Sequence, residues 1–413
     1  MSFAEDLCVA QSPCHAVKIS EHVYWVGAID WALRDFHGYQ TECGTTYNAY
    51  LILADKVTLI DTVKAPFRQE LMARIASVID PKRIDYIVSN HAEMDHSGCL
   101  PDVIRAVQPE KVFASHLGVK ALTDHFHLGQ ELTTVKDGDS LNLGNLHLSF
   151  VETKMIHWPD SMFSYLAEEG ILFSNDGFGM HLAGTARFDD DVSDDVLMHQ
   201  AAKYYANILL PFSHLIAKLL DKVNGMHLDL RLIAPDHGPV WRKDPGKILA
   251  AYARWAAQQR TQKTIVAYDT MWQSTAKMAQ AVVEGLTAGG VPAHLLPLGA
   301  SHRSDVATEM LDAGALLIGT PTMNNNLFPP IADLLTYLKG LKPRNLLGAA
   351  FGSYGWSGEA VGQVNEMLTA MNITLVSDGV KVKYVPDAAA LAQCYALGQL
   401  TAQALQQQHG ETE

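Results

Sequence analysis

The spacing of apolar positions changes character near Gln262 and divides the chain in two. Before it, HVYWVGAI alternates as a strand, and TYNAYLIL-ADK-VTLIDTV reads as a hairpin. A helix follows around RQELMARIASVI, then strands and helices alternate to about Trp241. KILAAYARWAAQQR carries helical spacing and closes this half. After Lys263 the pattern becomes strand, helix, strand: KTIVAY, a helix over TAKMAQAVVEGLTA stopped at Gly289-Gly290, and the strand AHLLPL. A helix at DVATEMLDA, the buried strand ALLIGT, a helix in IADLLTYLKGL, the strand LLGAAFG and a helix near EAVGQVNEMLTAM complete it. Such alternation predicts an open, doubly wound parallel sheet. The expected division is 1–261 and 262–413.

A length of 413 residues fits two cores better than one. No apolar run approaches the roughly 20 residues of a membrane span, and the N-terminus is too polar for a secretory signal. The net charge of -14 argues against nucleic acid as a partner and favours a well-hydrated protein, and no membrane partner is expected. Cys8, Cys14, Cys43, Cys99 and Cys394 contain no C-x-x-C pair, which excludes a fused rubredoxin or ferredoxin module and places the chain in a reducing, cytoplasmic compartment. Its electrons would then come from a separate donor.

Four apolar runs in the first half each lead into metal-binding residues. IDYIVSN precedes His91, Glu93, Asp95 and His96; LHLSFVETKMI precedes His157; GILFSN precedes Asp176; LRLIAPD precedes His237. Strands that end at one edge bring such residues together. Four imidazoles and three carboxylates exceed one structural zinc site and suit two metals sharing a carboxylate. Zinc, iron and manganese all accept this donor set. His116, His125 and His127 read as structural, and His181 has no comparable support.

In the second half, Thr270, Met271, Trp272, Gln273, Ser274 and Thr275 lie between a strand and a helix, where hydroxyls and backbone N–H groups hold a phosphate monoester. Neither a Walker A loop nor G-x-G-x-x-G is present. Two later strand ends lie at the same sheet edge. One carries Pro321, Thr322, Asn324 and Asn325; the other carries Ser353, Tyr354, Gly355, Trp356, Ser357 and Gly358. Backbone amides there suit the edge of an isoalloxazine, with Tyr354 or Trp356 over its face, so FMN is the expected cofactor.

Together NHAEMDHSG, HWPDSM, FSNDGFG, APDHGPVW, YDTMWQST, GTPTMNNN and FGSYGWSGE resemble the flavodiiron protein family. The resemblance implies a metallo-β-lactamase-like αββα sandwich with a non-haem diiron site, followed by a flavodoxin-like domain with FMN. Hydrolytic cousins carry H-x-H-x-D-H and bind zinc; Glu93 at the second position marks the redox branch. Carried over, one iron falls to His91, Glu93 and His157, the other to Asp95, His96 and His237, with Asp176 bridging. His96 is the ligand that some relatives detach. His37 and Tyr204-Tyr205 resemble positions beside the pocket. The family further implies reduction of O2 to water or of NO to N2O, with rubredoxin or a similar donor. It also implies a head-to-tail homodimer or a dimer of dimers.

Overall fold

A computed structural model of the chain describes residues 14–410, so Cys8 and the extreme N-terminus lie outside the described residues. Two compact units emerge: residues 1–204 with 214–253, and 205–213 with 254–413. The short segment Tyr205–Ser213, which begins as a π-helical turn, clusters with the second unit, an excursion the linear pattern did not foretell.

The first unit is an αββα sandwich. One sheet runs in the order Val17–Lys18, Val23–Trp25, Tyr50–Ile52, Thr58–Ile60, Tyr86–Ser89, Lys111–Ser115, Leu132–Val135; its last four strands are parallel. The second comprises Ser140–Asn142, His147–Glu152, Met162–Leu166, Ile171–Phe173 and Leu232–Ala234, with only the last pair parallel. Because side chains alternate along a strand, the first sheet serves two cores. Leu51, Leu59, Ile87, Val112 and Ala114 pack with the helical residues Leu71, Ile75, Leu100 and Val103. Tyr50, Ile52, Ile60, Val88 and Phe113 instead meet Leu148, Phe150, Met162, Ile171 and Phe173 of the opposite sheet.

Two expected strands are broken, for a common reason. HVYWVGAI becomes Val23–Trp25 and Ala28–Asp30, and the expected hairpin arm splits into Thr45–Tyr47 and Tyr50–Ile52. Only Tyr50–Ile52 pairs with Thr58–Ile60; Thr45–Tyr47 pairs with Ala28–Asp30. The breaks fall at Gly27 and Asn48. A Cβ on Gly27 would lie 2.2 Å from the Tyr47 carbonyl oxygen, so the two chains cross where only glycine fits. Asn48 spends its side chain holding the metal-side loop, accepting from Trp25 Nε1 and donating to the carbonyls of Pro235 and Gly238.

The second unit contains a parallel sheet in the order Ala293–Pro297, Thr264–Tyr268, Ala315–Gly319, Leu347–Tyr354, followed by Thr374–Leu375 and Val380–Lys383, which both pair with Leu347–Tyr354. This is the 2-1-3-4-5 order of a flavodoxin-like sheet, with its fifth strand interrupted. Helices Ser274–Ala288 and Ala388–Gly410 supply Met278, Val282, Leu286, Leu397 and Leu405 to a core shared with Val266, Leu317 and Phe351.

Candidate metal centre and flavin site

The four sequence runs lead to the candidate ligands, although the second is a strand only as far as Glu152 and reaches His157 through a loop. Tyr86–Ser89 delivers His91 and Glu93, and the helical turn Met94–Ser97 presents Asp95 and His96. The connection between His147–Glu152 and Met162–Leu166 carries His157. Asp176 follows Ile171–Phe173, and His237 follows Leu232–Ala234. All seven are buried. They form two clusters, His91, Glu93, His157 and Asp176 in one and Asp95, His96 and His237 in the other.

Asp176 joins the clusters. Its Oδ2 lies 3.5 Å from His91 Nε2 and 3.3 Å from His157 Nε2, while its Oδ1 lies 3.2 Å from His96 Nε2 and 3.5 Å from His237 Nε2. Glu93 Oε2 is 3.2 Å from His91 Nε2 and 3.1 Å from His157 Nε2; Asp95 is 3.5 Å from His96 and 3.3 Å from His237. Donors spread over a metal at about 2.0–2.2 Å stand roughly 3–3.5 Å apart, which is the spacing here. The carboxylate oxygens of Asp95 and Asp176, and both ring nitrogens of His96, are buried without any hydrogen-bond partner. Burial opposes charge on all these groups, yet Asp160 and Glu93 hold the His91 imidazole well above its ordinary value, and Asp95 and Asp176 do the same for His96. Orphaned lone pairs in a field that demands positive charge fit a pair of cations.

The far side of the rings is also organised. His237 Nδ1 donates to the Thr46 carbonyl at 2.6 Å, fixing the tautomer that turns Nε2 inward. His37 adopts a left-handed φ of 53° and places Nε2 2.6 Å from Glu93 Oε1, leaving Oε2 to the cluster. Tyr204 is buried 6.0 Å, ring to ring, from His237. Tyr205 engages Ser213 and Trp255 instead. His125 donates to the Ala92 carbonyl at 3.1 Å.

Sequence reasoning missed His181. It is buried, with Nδ1 2.7 Å from Thr45 Oγ1 and its ring 4.6 Å from His237 and 5.1 Å from Tyr204. Burial, with His237 nearby, holds it well below the ordinary value, so it is a neutral imidazole. Asp160 was missed too, although it stands only three residues beyond His157 in a quoted motif.

In the second unit a cavity of about 430 Å³ opens at the carboxyl edge of the sheet, within the usual range of roughly 300–1,000 Å³ for small-molecule sites. Met271, Trp272 and Ser274 line one side, Pro321, Thr322, Asn324 and Asn325 another, and Ser353 to Ser357 a third. Asn324 and Asn325 both have positive φ, at 52° and 60°, and turn the hairpin Thr322–Met323 to Asn326–Leu327. Thr270, Gln273, Thr275 and Gly358 do not line the cavity. Thr275 ties the helix start to Ser353 at 3.1 Å, and Gln273 is the left-handed residue before that helix. Tyr384 and Val385, after the last strand, complete the lining and were not foreseen. The Thr270 hydroxyl is buried without a partner beside the helix N-terminus, an orphan that a phosphate oxygen would satisfy. Trp272 and Trp356 are 88% and 84% exposed, large apolar faces that a flat ring would cover.

Residues 45–238 match the model of the ODP family beta lactamase, and 266–398 match that of Flavodoxin. The chain is 48% identical to a nitric oxide reductase of Moorella thermoacetica over 92% of its length and 97% of the relative's. It is 45% identical to a rubredoxin-oxygen oxidoreductase of Megalodesulfovibrio gigas, covering 94% and 98%. Its fold superposes on the rubredoxin oxygen:oxidoreductase structure from Desulfovibrio gigas with a TM-score of 0.93 at 44% identity, covering 95% of this chain and 99% of that one. The flavodiiron protein of Giardia intestinalis gives 0.92 at 34% identity, covering 95% and 97%. With its two domains and its paired cluster of imidazoles and carboxylates, the chain belongs to the flavodiiron protein family.

Proposed function

We propose that this oxidoreductase reduces O2 to water, NO to N2O, or both, with FMN and a non-haem diiron centre as its cofactors. The observation that carries the proposal is the division of the Asp176 carboxylate between two buried donor clusters. One iron would be held by His91, Glu93 and His157, the other by Asp95, His96 and His237, with Asp176 bridging them. FMN would sit in the Trp272–Trp356 cavity, its phosphate at Ser274 and the start of helix Ser274–Ala288. Bound there, flavin and iron pair supply two electrons each, enough to take O2 to water or to couple two NO molecules into N2O and water.

The protein's own part is orientation, dryness and proton placement. His37 occupies Glu93 Oε1 and leaves the other oxygen to the metal. Tyr204 keeps its phenolic proton, because burial, reinforced by Asp176, lifts it well above the ordinary range. It is therefore a neutral phenol whose ring lies 6.0 Å from that of His237. The electron donor is a rubredoxin or a similar small redox protein, the assembly a head-to-tail homodimer or a dimer of dimers, and the compartment the cytoplasm. Among the described residues no helix is long and apolar enough to cross a membrane.

The test is metal and flavin analysis followed by side-by-side O2 and NO turnover with reduced rubredoxin. Two irons and one FMN per chain with turnover of either gas support the reading. Two zincs and no spectral change on anaerobic reduction would sink it.

A further inference from the structure

The outward ring nitrogens of the ligand histidines meet unlike partners. His237 Nδ1 donates to a neutral carbonyl, that of Thr46. His96 Nδ1 has no hydrogen-bond partner; the nearest carboxylate oxygen, Asp236 Oδ2, is 3.6 Å away. His91 Nδ1 alone among these three donates to a carboxylate, Asp160 Oδ2, at 3.1 Å. The same oxygen accepts the Ala92 N–H at 2.7 Å, and the Asp160 carbonyl accepts from Ser115 Oγ at 2.7 Å. Asp160 is 3% exposed and is therefore fixed at both ends. It also lies on the loop that carries His157, so one loop supplies a ligand and orients another.

We propose that Asp160 is a positioning residue that makes the two irons electronically unequal, the iron at His91 being the harder to reduce. The inference rests on the diiron reading above. A carboxylate accepting from the outer N–H fixes the tautomer and makes the imidazole a stronger donor. Stronger donation favours the more highly charged ferric ion. Around the other iron, His237 Nδ1 has only neutral partners, the Thr46 carbonyl at 2.6 Å and the Thr45 hydroxyl at 3.3 Å, and His96 has no hydrogen bond there, so that iron gains no such carboxylate bias. The inequality is built into the fold, since Ser115 ends an interior strand of the first sheet, paired on both sides.

The experiment is a mediated redox titration of the iron- and FMN-loaded protein, read by Mössbauer spectroscopy on isotopically enriched iron, for the native chain and Asp160→Asn. The native protein should show two resolved iron steps; finding no iron redox at all would refute the diiron reading itself. In Asp160→Asn the harder step should become easier, with about a tenfold change in the ferrous-to-ferric ratio at fixed potential, about 59 mV for one electron. The other step should stay in place and the gap should narrow. Unchanged steps, or equal shifts of both, would overturn the inference while leaving the diiron reading intact. Iron affinity by chelator competition gives a second readout for Asp160→Asn and Asp160→Ala. Loss of about 10- to 100-fold at one iron only supports the assignment, and equal loss at both overturns it.

Discussion

Replacing Trp356 by alanine separates what the second unit needs to fold from what it needs to bind FMN. The indole is 84% exposed, so truncation takes little apolar surface out of the core. Its effect on stability should fall within about 0.5 kcal/mol, as for surface substitutions generally. For a unit of this size that is a melting shift below roughly 2 °C. The flavin is different, because a ring contact of this kind is worth about 0.5–1.5 kcal/mol beyond area burial. The FMN dissociation constant should therefore rise about 2- to 13-fold. Titrating apoprotein with FMN and following flavin fluorescence measures the affinity, and calorimetry of the same apoprotein measures the melt. An unchanged affinity would remove Trp356 from the site. A melting loss above about 5 °C would show that the indole supports the fold instead.

Gly352→Ala should disturb the fold as well as the flavin site. Its Cβ would lie 2.0 Å from the Thr320 carbonyl oxygen, forcing apart the two strand ends that carry the flavin loops. The expected cost is about 1–3 kcal/mol in urea unfolding, together with weaker FMN binding; a neutral outcome would contradict the packing argument. Asn48→Ala orphans the Trp25 indole N–H and the Gly238 carbonyl, while Tyr50 still serves Pro235. A loss of about 1–3 kcal/mol for each orphaned group is expected by denaturant titration, with reduced iron retention because His237 lies in the loop that Asn48 holds. Chelating the iron should lower the melting temperature of the first unit reversibly, since each iron at a hundredfold excess over its dissociation constant contributes about 2.7 kcal/mol. A melt indifferent to iron would contradict metal binding at the clusters.

What could be read from the chain was what is local. The four ligand runs were legible because each is a strand with its first ligand within five residues of its end, as in Ile171–Phe173 leading to Asp176. The flavin loops were legible because strand and helix periods frame them. Asp160, His181, Thr45 and Asn48 were not, because their roles arise where distant segments meet, 69 residues apart for His91 and Asp160 and 136 for Thr45 and His181. Tyr384 and Val385 were missed for a related reason: the fifth strand is interrupted, which blurs its alternation. The excursion of Tyr205–Ser213 was not read from periodicity, because the segment passes from a π-turn to a 3-10 turn between two regular helices.

The central claim is that a carboxylate-bridged iron pair performs the reduction. Asp176→Ala removes the one side chain shared by both clusters and none of the flavin cavity. The decisive measurement is O2 and NO consumption by this variant, loaded with iron and FMN and supplied with reduced rubredoxin. The account predicts that FMN is still reduced by the donor while consumption of both gases collapses. Gas consumption at the native rate would contradict it.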